Sequence, residues 1–503
     1  MNDKTKIKRA AIILVIGTVT AKILGFMREL VVAYKFGASS ITDAFVLTNG
    51  IPSLIFVSIG TAIGINYIPC FQRIKTIDEK NKFTSNLLNI IIVILLSGCF
   101  VVECCPDIIL KFFAIGLSDE TRQYAIVMLR IVMIAIFPII ISHLFQAYSQ
   151  ANGIFVTTAF FGVATNIVII IITVLASEKN YWILSVGTVL ANTIGMGVVI
   201  WGSRKGGFHY CPMFHPHDRQ IKRLVSLSLP LIIEDIASSM SLIVDRNLAS
   251  LLDSGTIAGL NYAGTLGNIA GTMISGSVIT AVFPTFSKLN ASNDKRAFEA
   301  AFRKSADIML FFLCPVAMMM TFFAKDIVVF IFQHGAFNSS ASKIVWESMA
   351  CYGIGIIPSG MQSYLIRAFY SLQETKIPVK VKVFALMCNI GLNVITVQKW
   401  RHIGIALSTS ISLIISYVLL SFFLDKKFRI GAVRLITKEM IVNSTISLFS
   451  GIISYVIFER CILIDSLFFK LMLELGGFLM CYIGFNAMMR MNTVKGIIKI
   501  LKE

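Results

Sequence analysis

The sequence carries little charge and lacks the motifs of the common enzyme classes. Only 14% of its 503 residues are charged, whereas 56% are hydrophobic. This balance excludes an ordinary soluble domain, in which about 25% of residues are charged. The chain contains no GxSxG, HExxH or Walker A motif, the patterns that supply nucleophiles, zinc ligands and phosphate-binding loops. We therefore expect a transporter rather than an enzyme.

Cysteine patterns that would indicate a disulfide framework or a zinc site are also missing. The ten cysteines form no CxxC pair, and we interpret them as small apolar side chains. One loop, FHYCPMFHPHDRQ, gathers His209, Cys211, His215 and His217. Because it is short and lacks matched Cys/His pairs, a solvated basic loop is favoured over a metal site.

Long apolar segments dominate the chain. A helix needs about 20 apolar residues to cross a bilayer, and fourteen segments meet this requirement. They lie near 10–32, 41–69, 84–103, 122–151, 154–176, 181–202, 223–252, 255–287, 306–323, 342–372, 377–397, 402–424, 432–458 and 465–490. The sequence therefore predicts an all-α polytopic membrane protein with fourteen transmembrane helices.

The connecting loops alternate between rich and poor in Lys and Arg. One set, with both termini, holds about thirty basic residues, including the tail residues Arg490, Lys495, Lys499 and Lys502. The other set holds Lys35, Lys111, Lys179, Lys325, Lys399, Arg401 and Arg460. The positive-inside rule then places both termini in the cytoplasm. The net charge of +18 is explained by topology, and no nucleic-acid partner is expected.

The two halves of the chain resemble each other. YIPCFQRI is similar to VFPTFSKL, and three pairs of residues recur about 220 positions apart: Pro69 with Pro284, Pro138 with Pro358, and Asn166 with Asn389. Six spans per copy make the copies parallel. We predict an N-terminal lobe (1–220), a C-terminal lobe (221–428), a central cavity between the lobes, and two additional helices (429–503).

Several charged residues fall inside the apolar segments. Arg28, Glu29, Asp43, Arg246 and Arg367 are the most informative, because an ion at bilayer depth usually faces a partner or a wet cavity. Guanidinium groups stay charged and bind phosphate with two parallel hydrogen bonds. These arginines favour an anionic substrate, although a purely structural Arg28–Glu29 pair remains an alternative.

Four ordered motifs carry a resemblance to a known family. AKILGFMRELVVAYKFGASSITDAF, LIVDRNLASLL, FQHGAFNSSAS and LIRAFYSLQETKIPVKV resemble motifs of the lipid II flippases of bacterial peptidoglycan synthesis, the MurJ/MviN family. The resemblance spans residues 10 to about 425. It implies the multidrug/oligosaccharidyl-lipid/polysaccharide exporter fold and alternating access, which carries an undecaprenyl-diphosphate-linked precursor across the bacterial cytoplasmic membrane.

The resemblance also implies where the cargo binds. Arg28 and Arg367 match cavity arginines of the family, and Asp43 matches the acid of its TDAF motif; Glu29 and Arg246 complete the predicted substrate site. The lipid tail would occupy a groove formed by the last two spans. Expected partners are the lipid-linked glycan and membrane lipids, with cell-wall synthases as candidates, and the expected state is a monomer.

A cation site is implied in the C-terminal lobe, and no other cofactor is expected. Its positions fall on Asp245, Asn389, Asn393, Ile405 (through its carbonyl) and Thr409, which offer the oxygen ligands that a cation such as Na⁺ prefers. The family commonly has an acid where this chain has Asn393. The site therefore keeps its oxygens but loses one charge.

Two further departures leave the cargo open. Gly50 and Thr265 stand where many family members have arginines. Lipid II is the expected cargo, and another polyprenyl-linked glycan, such as an exopolysaccharide or capsule unit, is the first alternative. A cation-coupled multidrug exporter and a membrane scaffold without transport activity are the others.

Overall fold

The computed structural model describes residues 3–292, 294–460 and 466–489, and within these ranges it contains helices and no β-strand. The α-helices are α1 (Asp3–Phe36), α2 (Ser40–Pro52), α3 (Ser58–Gln72), α4 (Ile77–Cys104), α5 (Pro106–Phe113), α6 (Asp119–Met133), α7 (Ile136–Ala151), α8 (Val156–Leu175), α9 (Ile183–Lys205), α10 (Arg219–Ser250), α11 (Thr256–Ala291), α12 (Lys295–Phe322), α13 (Ala324–Phe332), α14 (Ser339–Ser371), α15 (Lys376–Phe428), α16 (Ala432–Arg460) and α17 (Leu467–Met489). The predicted all-α class is confirmed.

Nine helical segments of the described ranges are long and apolar enough to cross a membrane. A helix is the natural result of such a sequence, because every backbone N–H and C=O inside the bilayer must be bonded within the chain. One of the nine, α15, covers two predicted spans, and the four remaining predicted spans fall on α1, α2 with α3, α10 and α14. The chain is an integral membrane protein, and the count of fourteen spans stays a prediction. The basic tail from Arg490 onward lies outside the described residues.

Two predicted spans join in one interrupted helix. The sequence predicts separate spans at 377–397 and 402–424, and α15 covers both, with non-helical backbone at Arg401 (φ 51°, ψ −128°). The two halves of α15 fold back on each other, since a Cβ on Gly404 would lie 2.7 Å from the carbonyl carbon of Thr396. Buried polar positions on both halves therefore come close together.

The chain divides into two compact units. The first runs to Ala258 and includes Gly335–Phe337, and the second holds Gly259–His334 and the chain from Asn338 onward. Each has its own aromatic core: Phe71 packs against Tyr67 and Tyr148 at 5.3 Å between ring centroids in the first unit, and Tyr364 packs against Phe302 at 5.1 Å in the second. α10 belongs to the first unit by this division, and domain boundaries at 220 and 428 stay a prediction.

The loop that gathers three histidines is fixed along one face of α4. Asn86 donates to the carbonyl of His215 at 2.9 Å and accepts from its N–H at 2.7 Å. Asn89 donates to Met213 O, and Ser85 accepts from the N–H of Cys211. Among the described residues no three His, Cys, Asp or Glu side chains are close enough to hold a metal ion. The loop therefore has a structural attachment that its sequence did not indicate.

Candidate functional site

Arg28 and Glu29 form an ion pair on α1. Nη2 of Arg28 lies 2.7 Å from Oε1 of Glu29, and Nη1 donates to Oδ1 of Asn166 on α8 at 3.4 Å. Asn166 is itself held, because its amide donates to the carbonyls of Ala21 and Gly162. The Arg28 side chain remains 33% exposed, and a guanidinium has five N–H donors. Arg28 is thus oriented by its neighbours and still has donors available for a ligand.

Asp43, at the start of α2, bonds to backbone rather than to a side chain. Its two carboxylate oxygens accept from the N–H groups of Gly255 at 2.6 Å and Ala258 at 2.7 Å, and the residue is only 4% exposed. These donors lie at the beginning of α11, where helix N–H groups lack partners within the helix and a negative charge is favoured. The geometry supports a positioning role for Asp43, and substrate contact stays a prediction.

The segment before Asp43 is anchored to a third part of the first unit. We call residues 34–43, with their partners 254–258 and 335–337, the Asp43 junction. The N–H of Ala336 donates to the carbonyl of Tyr34 at 2.8 Å. Gly37 (φ 61°) and Gly335 (φ 62°) adopt left-handed backbone, which glycine tolerates best. The FGAS and HGAF motifs thus meet within one unit.

Arg246 lies against Gly50. The guanidinium of Arg246, on α10, occupies the space beside α2 where a side chain of residue 50 would be, so that a Cβ on Gly50 would overlap Nη1 and lie 2.6 Å from Cζ. Nη1 is buried and makes no hydrogen bond among the described residues. Directly after Gly50 and Pro52 the helix widens into a π-turn over Ser53–Val57, a distortion frequent at functional sites.

Arg367 belongs to the second unit. It lies on α14, and its Cζ is 5.9 Å from the centre of the Phe283 ring on α11. A cation over an aromatic face is held by a weak attraction that leaves the N–H edge available. Arg367 is exposed, so that its guanidinium is accessible to a ligand.

Four of the implied cation ligands lie on α15, two on each of its halves. Asn389 and Asn393 lie on its first half, and the amide of Asn393 donates to Oδ1 of Asn389 at 3.2 Å. On the second half the hydroxyl of Thr409 donates to the carbonyl of Ile405 at 3.1 Å. A 2.9 Å contact between the hydroxyls of Thr396 and Ser408 ties the halves together. These oxygens are neutral and suit a hard monovalent cation. Asp245 is a buried residue of the first unit.

Sequence reasoning missed the contacts that position these groups. The backbone partners of Asp43, the contact of Arg246 with Gly50 and the anchoring of Arg28 by Asn166 all join residues more than 100 positions apart. One signal was present, since Asn166 recurs as Asn389 in the internal repeat. That recurrence marks a polar position inside an apolar helix without naming its partner.

Comparison with known proteins identifies the relatives of this chain. A probable lipid II flippase MurJ from Buchnera aphidicola subsp. Acyrthosiphon pisum (strain APS) is 29% identical over 423 residues, which cover 80% of this chain and 81% of that protein. The lipid II flippase MurJ of Burkholderia cenocepacia is 25% identical over 427 residues, with 82% of each chain covered.

Solved structures agree with this relationship. A lipid II flippase MurJ in an inward closed conformation matches with a TM-score of 0.82 at 25% identity, covering 96% of this chain and 100% of that one. An inward-facing multidrug resistance MATE transporter of the MOP superfamily matches at 0.69 and 14% identity, over 84% and 99% of the chains, which shows a shared fold. The family model for lipid II flippase MurJ matches residues 32–473. The resemblance predicted from the four motifs is confirmed, and the chain belongs to the lipid II flippase MurJ family.

Proposed function

We propose that this chain is a lipid II flippase, which moves the undecaprenyl-diphosphate-linked peptidoglycan precursor from the inner to the outer leaflet of the bacterial cytoplasmic membrane. The match of the family model to residues 32–473 carries this proposal. It makes the chain a transporter rather than an enzyme, as the sequence predicts. The intramembrane arginines agree with a cargo whose head group carries a diphosphate.

The head group is charged and cannot cross bare hydrocarbon, so protein groups must replace its water. We assign Arg28 and Arg246 of the first unit and Arg367 of the second to the diphosphate, each through its guanidinium. Glu29 orients Arg28, and Asp43 fixes the start of α11. A potential that is negative inside favours an anion leaving the cell by about 2.3 kcal/mol per charge at 100 mV. This bias drives net export without a nucleotide.

The finer features of this function are also proposals. Both termini lie in the cytoplasm, as the distribution of Lys and Arg indicates. The lipid tail lies along α16 and α17, which stand outside the internal repeat. Asn389, Asn393, Ile405 and Thr409 of the second unit supply oxygen ligands to a Na⁺ ion that carries a coupling charge, and Asp245 is the fifth ligand that the resemblance implies. The protein works as a monomer beside cell-wall synthases.

A complementation experiment tests the function. Cells depleted of their own lipid II flippase should resume growth, and should stop accumulating lipid II in the inner leaflet, when this chain is expressed. Arg28→Ala should fail to rescue. Arg130→Ala is the matched control, because Arg130 lies on α6, is 56% exposed and faces Glu103 at 3.8 Å. Failure of the intact chain at normal expression would contradict the proposal.

A second cargo is favoured by one observation. Gly50 and Thr265 supply no cation where many relatives have arginines, and Thr265 merely donates to the carbonyl of Asn261 in its own helix. Fewer cations would suit another polyprenyl-linked glycan. Rescue of capsule or exopolysaccharide export, with no rescue of peptidoglycan synthesis, would support this alternative.

A further inference from the structure

We infer that Gly50 and Arg246 together form one phosphate-binding position, in which α10 supplies the cation that α2 lacks. The inference rests on the proposed function and deepens it, because it states how a glycine on α2 lets an arginine on α10 take the position that binds the diphosphate. It also makes Gly50 a determinant of binding, although glycine has no side chain with which to contact a ligand.

The guanidinium of Arg246 fills the space that a side chain at position 50 would need. Three atoms of the Arg246 guanidinium, Nη1, Cζ and Nη2, lie where a side chain of residue 50 would begin, with Cζ and Nη2 at 2.6 and 2.9 Å from the Cβ position. Any larger residue at position 50 would therefore displace the guanidinium. Arg246 can therefore occupy its position only because Gly50 has no side chain.

One nitrogen of Arg246 also lacks a hydrogen-bond acceptor within the part of the chain that the structure describes. Nη1 of Arg246 is buried and donates no hydrogen bond to any of the described residues. A buried charged donor without an acceptor costs more than a neutral one, so such groups are rare and need an explanation. Asp245 precedes Arg246 on α10 and its charge attracts the guanidinium, yet Nη1 has no hydrogen bond among the described residues. An acceptor brought by the cargo would satisfy Nη1.

A phosphate group suits the guanidinium of Arg246 in charge and in shape. A guanidinium presents its N–H groups as a planar fork that matches two oxygens of one phosphate. The cargo of the proposed function carries a diphosphate, which is the only strongly anionic acceptor in its lipid-linked core. The backbone close to Gly50 is also distorted, since a π-turn begins at Ser53, and such turns are frequent at functional sites.

Four variants of the full-length protein test the pair, with lipid II binding in detergent and lipid II transport in proteoliposomes as readouts. Gly50→Ala should displace the guanidinium, and Arg246→Gln should remove its charge. Each should lower lipid II affinity by about tenfold or more. The double variant Gly50→Arg/Arg246→Gly moves the cation from α10 to α2 and should recover to within about threefold of the wild type, whereas Gly50→Arg alone should not.

Gly64→Ala is the matched control, because its Cβ would meet only the carbonyl of His143 at an ordinary 3.8 Å, and it should bind as the wild type does. Arg246→Gln adds no volume, and its result decides the matter should Gly50→Ala fail to fold. Wild-type affinity in Arg246→Gln, or a double variant no better than Gly50→Arg, would overturn the inference.

A second probe separates this inference from the function on which it rests. Inorganic pyrophosphate carries the same anionic group without a glycan or a lipid tail. If the wild type binds pyrophosphate and Arg246→Gln binds it at least tenfold more weakly, the result supports a phosphate-binding position at Gly50 and Arg246. That conclusion does not depend on which glycan the protein transports. A wild type that neither binds nor transports lipid II would contradict the proposed function alone. Equal binding of pyrophosphate by both proteins would contradict the inference.

Discussion

The carboxylate of Asp43 accepts a hydrogen bond from the backbone N–H of Ala258 at 2.7 Å, across 215 positions of sequence. A second bond, from Gly255, uses the other oxygen. Because both oxygens of this buried acid accept from backbone donors, the carboxylate fixes the start of α11.

Asp43→Asn should therefore destabilise the protein. The amide keeps the size of the carboxylate but turns one acceptor into a donor, which then faces the N–H of Gly255 or Ala258. We expect a loss of about 1–3 kcal/mol in the free energy of unfolding, measured by denaturation in detergent. Asp78→Asn, an exposed residue in the first turn of α4, is the control. Unchanged stability with lost transport would instead make Asp43 a substrate ligand.

Removing the charge of Arg28 should abolish transport without unfolding the protein. Arg28→Gln keeps a hydrogen-bonding side chain near Asn166 but cannot form a charged pair with a phosphate. We expect lipid II transport in proteoliposomes to fall by about tenfold or more. Glu29→Gln should have a smaller effect, because it removes only the group that orients Arg28. Equal transport by Arg28→Gln and the wild type would indicate that the Arg28–Glu29 pair is structural.

Restoring an acid on α15 should strengthen the response to Na⁺. Asn393→Asp adds a negative charge beside Asn389, 3.2 Å away, and an added carboxylate attracts a hard cation. We expect Na⁺ to raise the unfolding temperature at concentrations about tenfold lower than in the wild type, with K⁺ as the comparison ion.

The control for this experiment is Asn192→Asp. Asn192 lies on α9 and donates to the carbonyl of Thr188 in its own helix at 2.8 Å, so a carboxylate there should not create a cation site. Identical Na⁺ responses of Asn393→Asp and the wild type would place any coupling ion elsewhere.

Stability should depend on pH through Glu374, which lies between α14 and α15. Lys427 donates a hydrogen bond to Glu374, and the N–H of Lys376 donates to the same carboxylate at 2.9 Å. The bond from Lys427, followed by those from the backbone, holds the pKa of Glu374 below its ordinary value of 4.5. A lowered pKa contributes stability that is fully present above pH 4.5 and is lost as the pH falls through the folded-state value.

Glu374→Gln should remove this dependence. Its unfolding temperature should lie below that of the wild type at pH 7, and the difference should shrink as the pH is lowered below about 4.5. Glu299→Gln, whose carboxylate lies a loose 4.0 Å from Lys295, is the control. A constant difference between Glu374→Gln and the wild type at every pH would show that the bond to Lys427 adds nothing.

The fold class was predictable from the sequence because the bilayer leaves few choices. An apolar segment such as 84–103 must form a helix, and α4 covers it. The break at Arg401 was visible as a basic gap between two apolar segments. The four motifs indicated the family, since a resemblance in sequence can be recognised without knowledge of the contacts.

The contacts at the candidate site were not predictable in the same way. From the sequence alone, Gly50 is a position where an arginine is missing. Only the packing of α10 against α2 shows that the guanidinium of Arg246 occupies the space beside Gly50. Asp43 read alone is an intramembrane charge, and its partners are backbone groups, which no side-chain pattern reveals. Hydropathy predicts which residues of a helix are buried, but it does not predict which distant helix packs against them.

The Asp43 junction also has a consequence for biosynthesis. The junction begins with residues 34–43. Its last partners, residues 335–337, are translated roughly 300 positions later. At about 5–20 residues per second, Asp43 leaves the ribosome about 10–40 s before Ala258. The first hairpin is therefore made before the backbone groups that bond to Asp43, and the junction closes only after residues 335–337 have been synthesised.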